Sequence, residues 1–234
     1  MILAVETATG ACSVALSNGY ETYTRYSEQA RAHSQLAMGM VDAVLAEAGC
    51  NVRDIEGLGV TIGPGSFTGL RIGFSIIQGL AFAMDLPVAP VSTLKTLVAT
   101  YQRGRDDARK SVYLAVLDAR MGQFAVGVYR WNGEQLSTER HDCLLSASAV
   151  HALIDHLQPT AVIGETEKLL AARENDIAAH EVDVSEVYPH ALDLYGLAAE
   201  QHRRGLSMPI EEIELCYLRG TEAWTKRTRI SRDG

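Results

Sequence analysis

The run Ala4-Val5-Glu6-Thr7-Ala8-Thr9-Gly10 has a counterpart at Val116-Leu117-Asp118-Ala119-Arg120-Met121-Gly122. Each is an apolar segment, an acidic residue, and a short turn that ends in glycine. Each leads into a second strand-like segment, which carries Val14 in one copy and Val126 in the other. Outward from the first copy, Ile2–Val5 and Cys12–Ser17 read as strands. Asn18-Gly19 is a strong two-residue hairpin signal, and Tyr20–Tyr26 alternates as a third strand. The period then changes. Apolar residues at 36, 37, 40, 41, 44, 45 and 48 predict a helix that stops at Gly49. A strand over 58–62, a helix over 68–84, a strand over 86–91 and a helix over 93–101 follow. Pro87 and Pro90 place the strand over 86–91 at an edge or mark its ends.

The polar stretch 102–110 (QRGRDDARK) is the best linker candidate, which divides the chain into residues 1–102 and 103–234. Beyond it the order begins again. Strands are predicted over 112–117 and 124–130 with a second hairpin turn at Asn132-Gly133. Helices are predicted near 146–157, 166–173 and 190–204, with strands at 161–164 and 213–218. Two successive β-β-β-α-β-α patterns, the second reduced, predict an α/β protein of the actin-like ATPase (ASKHA, ribonuclease H-like) fold.

In that architecture the two strand-turn-strand hairpins face each other across a cleft. A carboxylate on the first holds the water around Mg²⁺, and backbone amides meet phosphate. Here the first hairpin keeps an acid and two hydroxyls, Glu6, Thr7 and Thr9, but with Glu for the usual Asp and Ala8 for the usual Gly. Arg120 and Met121 stand in the second where small residues are wanted, and the Arg120 guanidinium could itself fill a phosphate position. Glu6, Thr7 and Thr9 are therefore candidates for a degraded nucleotide loop, or else structural turn residues. No cofactor is expected on the isolated chain; ATP or ADP with Mg²⁺ is an option at a site shared with another subunit.

Gly63-Pro64-Gly65-Ser66-Phe67-Thr68-Gly69-Leu70-Arg71-Ile72-Gly73 follows a strand and opens a helix. It is neither a P-loop nor a nucleophile elbow. Its place at a helix N-terminus allows a phosphate cradle, but Gly65, Gly69 and Gly73 fall four residues apart, which clears one helical face, and close backbone packing is the favoured reading. Residues 36–48 and 70–84 carry apolar residues on more than one face, and so need cover on two sides, from this chain or from another subunit.

Net charge is −8, so the chain's overall field does not favour nucleic acid, and the basic residues Lys226, Arg227, Arg229 and Arg232 sit in a tail from about residue 225 that reads as frayed. The apolar runs fall short of the ~18–20 residues of a membrane span, and no secretion signal is read at Met1, which together point to the cytoplasm. Cys12, Cys50, Cys143 and Cys216 form no C-x-x-C pair. H-E-x-x-H is absent, and no metal or catalytic set is picked out.

Glu6–Thr9, His33-Ser34-Gln35, the glycine stretch 63–73, Val91-Ser92-Thr93-Leu94, Asp118–Gly122 and Tyr217-Leu218-Arg219 together resemble the TsaB (YeaZ) family, in order along the whole chain. That resemblance implies a non-catalytic paralogue of TsaD, lacking its metal-binding histidine pair, as His33 stands alone here. It implies a partner subunit, with TsaD and the small ATPase TsaE, of the complex that forms N6-threonylcarbamoyladenosine in tRNAs reading codons that start with A. It implies pairing through helices 34–48 and 68–84, with His33, Leu36, Met40, Val44, Phe67, Leu70, Arg71 and Ile76 as candidate contacts. A homodimer through the same surface is implied for the chain alone, with tRNA reached only through the complex. Family members commonly carry Asp at the position of Glu6. The competing reading is a small-molecule kinase or ATPase of the same fold.

Overall fold

The computed structural model describes residues 1–29, 33–105, 110–172 and 183–219. Residues 106–109 of the expected linker, and the basic tail with Lys226 to Arg232, lie outside the described residues.

Strand β1 (Ile2–Glu6) alternates large and small. Leu3 and Val5 face one side, where β2 (Cys12–Ser17) adds Val14 and Leu16, while Ala4 and Ala15 face the other. Strands β3 (Thr22–Ser27), β4 (Gly57–Gly63) and β5 (Val88–Ser92) complete a sheet of order β3-β2-β1-β4-β5. β1 runs antiparallel to β2 and parallel to β4. β5 is the edge, as its prolines suggested; Pro90 sits opposite Val60, and Met208 exchanges two backbone hydrogen bonds of 2.9 Å with Val88. The large face carries α1 (His33–Ala48) and α2 (Phe67–Met84), packed through Val41, Val44, Leu45, Ile77 and Ala81.

The second half repeats this. Strands β6 (Ser111–Asp118), β7 (Gln123–Trp131), β8 (Leu136–Ser146), β9 (Ala161–Gly164) and β10 (Asp183–Ser185) form a sheet of order β10-β9-β6-β7-β8, the same topology read from the other edge. Helices α4 (Ala147–Leu157) and α5 (Glu167–Ala171) cover one face through Val150, Ile154 and Leu169. Both Asn-Gly turns form as expected. The Asn18 Oδ1 accepts from Tyr20 and Glu21 amides, and the Asn132 Oδ1 from Glu134 and Gln135 amides. The repeated topology is that of the actin-like fold.

The last helix of each half crosses over. α3 (Thr93–Gln102) follows the first sheet but packs its Leu94, Leu97, Val98 and Tyr101 against Tyr113, Ala115, Tyr129 and Ile163 of the second. α6 (Ala191–Arg203) follows the second sheet but packs Ala191 and Leu194 against Ala4, Ala15 and Val91 of the first. The two helices touch and lie between the sheets. A cut at residue 102 therefore separates the two sheets in sequence while dividing both cores.

Three sequence expectations are corrected. The strand expected over 213–218 is absent; a 3-10 turn at Ile210–Glu212 is followed by an extended strap without strand pairing. The eleven residues of β8 carry no strand signal in the sequence, because LSTERHDCLLS is largely polar and lies at the sheet edge beside β7, so no fully buried face imposes a period on it. Short β10, parallel to β9, carried too few residues to read. Among the described residues one helix, α2, is by length and mean hydropathy (1.4) long and apolar enough to cross a membrane. A stripe of it, Gly69, Leu70, Gly73, Ile77 and Ala81, is buried in the fold.

Candidate functional site

A cleft of about 1200 Å³ opens between the halves, walled by both hairpin turns, the start of α2 and residues 216–219. The first hairpin turn is held by its own side chains. Glu6 is fully buried, and its Oε1 accepts from the Ala8 amide at 2.6 Å. Burial pushes the Glu6 carboxyl up to about 7, against a smaller downward pull from the Thr61 hydroxyl and the Ala8 amide. The Thr7 hydroxyl donates to the Gly69 carbonyl at 2.8 Å and accepts from the Gly73 amide at 3.0 Å. It thus spans a pair that an uninterrupted helix joins directly. Neither Glu6 nor Thr7 lines the cleft; Thr9 does, and its buried hydroxyl has no hydrogen-bond partner among the described residues.

The glycine row explains this closeness. A Cβ on Gly65 would strike the Ala8 carbonyl, one on Gly69 the Thr7 carbonyl, and one on Gly73 the Thr7 Oγ1 at 2.5 Å. The Ser66 amide donates to the Ala8 carbonyl at 2.7 Å, and the Ser66 hydroxyl caps α2 by accepting from Gly69 at 3.2 Å. The four-residue glycine spacing is thus a packing face, and what packs on it is the hairpin of the same chain.

The second hairpin is internally neutralised. The Asp118 carboxylate pairs with the Lys168 ammonium and lies 3.4 Å from the Arg120 guanidinium, while its Oδ1 accepts from the Arg120 amide at 2.8 Å. Burial alone would raise the Asp118 carboxyl; Lys168 and Arg120 outweigh it and hold it below the usual carboxylate range. Lys168 comes from α5, and nothing in its sequence surroundings had marked it. Arg120 and Met121 both adopt positive φ, 68° and 55°. A further cluster that sequence reasoning missed stitches the halves together. The Ser92 and Tyr129 hydroxyls donate to the Asp142 carboxylate at 2.5 and 2.6 Å. Burial raises that carboxyl against the two hydrogen bonds.

The expected partner-contact residues divide into groups. His33 is buried at the cleft wall, its Nε2 3.3 Å from the Gly10 carbonyl. Val44 and Leu70 are 0% and 1% exposed. Both are corrected to core positions: Val44 joins the first core three residues from Val41, and Leu70 lies in the buried stripe of α2 three residues from Gly73. Leu36 is half-buried, and Met40 and Ile76 are half-buried against the first core. Phe67 and Arg71 are exposed, with the guanidinium 3.7 Å above the Phe67 ring. The large apolar side chains these helices expose are Met38 (45%), Phe67 (47%) and Phe82 (58%), of which Phe67 alone was among the expected contacts.

The family model for TsaD, tRNA N6-adenosine threonylcarbamoyltransferase, matches residues 25–204. The tRNA threonylcarbamoyladenosine biosynthesis protein TsaB of Escherichia coli (strain K12) is 34% identical, over 96% of this chain and 97% of its own length. The TsaB of Bacillus subtilis (strain 168) is 30% identical over 72% of each. A solved Pseudomonas aeruginosa protein described as similar to peptidase YEAZ has a TM-score of 0.83 at 30% identity, covering 93% of this chain and 99% of that one. A full-length relative above 30% identity, a matching fold and the glycine-packed hairpin agree: this chain belongs to the TsaB (YeaZ) family.

Proposed function

We propose that this chain is the non-catalytic partner subunit of a complex, with a TsaD-like catalytic subunit and a TsaE-like ATPase, that forms N6-threonylcarbamoyladenosine in tRNAs reading codons that start with A. One observation carries the reading. Glu6 and Thr7, the acid and hydroxyl of the first hairpin, are turned into the fold, Glu6 onto the Ala8 amide of its own turn and Thr7 onto α2, rather than facing the cleft. A chain that has withdrawn those groups keeps the architecture of an ATPase for another use. The outward side of α1 and α2, with Met38, Phe67, Arg71 and Phe82, is the surface on which the catalytic subunit docks. In its absence a second copy of the chain takes the same place. ATP or ADP with Mg²⁺ binds only where the partner completes the site, and tRNA is reached through the complex, in the cytoplasm. The kinase or ATPase reading is disfavoured by the same geometry.

The test is capture of the TsaD-like protein by the purified chain. Phe82→Glu and Met38→Asp change exposed positions and should leave the fold intact. Each should weaken pairing by about 2–5 kcal/mol, as a charge buried at an interface costs. Variants that fold and still pair with unchanged affinity would refute the surface. Brisk ATP turnover by the isolated chain with Mg²⁺ would refute the role.

A further inference from the structure

The strap after Ile210–Glu212 crosses from one half of the molecule to the other in a few residues. On the first half, the Cys216 amide donates to the Ile62 carbonyl at 2.7 Å. The Cys216 carbonyl lies 2.5 Å from where a Cβ on Gly63 would stand, and Gly63 has φ +121°, so the approach depends on glycine there. Tyr217 follows, its ring 5.3 Å from that of Phe67 and its hydroxyl accepting from Arg71 Nε at 3.2 Å. Leu218 packs into the second-half core around Leu94, Tyr113 and Ala125. Arg219 ends the crossing on the second hairpin. Its Nη2 donates to the Arg120 carbonyl at 3.0 Å and the Gln123 Oε1 at 2.8 Å, and its Nη1 contacts the Met121 Sδ at 2.9 Å.

We infer that residues 214–219 are a clasp that fixes how far the cleft between the two halves opens. The anchors lie in series on a short length of chain. The four residues Cys216 to Arg219 span at most about 13–14 Å when fully extended, so the halves can part only as far as that length and the Arg219 side chain allow unless one anchor lets go. The second anchor also falls where the backbone is strained. Arg120 and Met121 hold left-handed φ values, which persist only where surrounding contacts over-determine them, and Arg219 supplies such contacts. The clasp belongs to the free chain and does not depend on the proposed partner.

Hydrogen exchange read by mass spectrometry on the full-length chain tests this. A clasp loosens at both ends when either is cut; separate local contacts do not. Arg219→Ala should speed exchange about tenfold at amides 119–123 and also at amides 62–70 of the opposite wall, while β1 stays protected. Tyr217→Ala, cut at the first-half end, should speed exchange at 119–123. Arg219→Lys keeps the charge without the fork and should fall between wild type and Arg219→Ala. Acceleration confined to the mutated end, or none at all, overturns the clasp. If Arg219→Ala fails to fold, the Tyr217→Ala pattern decides alone.

Discussion

Glu6 shows how one methylene changes what a hairpin can do. A carboxylate on the longer side chain folds back onto the Ala8 amide inside the turn, and its burial lifts its ionisation to about 7. The consequence for stability has a definite sign. A carboxyl raised from 4.5 to about 7 in the fold stays protonated there while the unfolded chain ionises. Its contribution is therefore most favourable below pH 4.5 and declines as pH rises to 7. Glu6→Gln keeps an acceptor for Ala8 and removes the charge. Urea unfolding at several pH values should show the variant gaining on wild type by about 1–3 kcal/mol between pH 5 and 8. A difference independent of pH would mean that the carboxyl ionises normally.

At the scale of the element, α2 is defined by what its glycines touch. Gly69→Ala puts a methyl into the Thr7 carbonyl, and the helix must lift from the hairpin to admit it. A loss of about 2–3 kcal/mol in urea unfolding is expected. Gly79 lies on the same helix with nothing within 4 Å of an added Cβ, so Gly79→Ala should be neutral or stabilising by up to about 1 kcal/mol. The pair separates a packing role from simple helix propensity. Elements were legible in the sequence where one face is buried. The stripes of α1 and α2, the edge strand with Pro90 and both Asn-Gly turns announce themselves through period or turn chemistry. Illegible were elements whose burial does not repeat, such as polar β8 and the strap, and side chains brought together across the fold, such as Lys168 on Asp118 or Ser92 and Tyr129 on Asp142. Val44 and Leu70 lie in the core for a related reason: composition shows that a helix has excess apolar surface, while only the fold beneath decides which residues it hides.

For the whole molecule, the governing feature is the exchange of α3 and α6. The first sheet's small-residue face is covered by Ala191, Leu194 and Ala198, far along the chain, and Gly59 leaves room for Ala198, whose Cβ would stand 2.7 Å from an added one. A fragment of residues 1–102 should therefore fail to form a cooperative fold, despite holding a complete five-stranded sheet and the glycine stretch. Circular dichroism and thermal melting would show a broad, low transition for that fragment and a single sharp one for the full chain. A sharply melting, monomeric 1–102 fragment would contradict the interlocked core.

The same exchange bears on how the chain is made. Synthesis runs from the amino end at about 5–20 residues per second, and early segments ordinarily collapse while later ones are still being added. Here the first five strands emerge with one side of their sheet bare, and the covering helix, Ala191–Arg203, follows only after the second sheet has been made. A product that stops before Ala191 would carry that bare side permanently and be an easy target for cellular proteases, so the arrangement confines the native state to chains translated past α6.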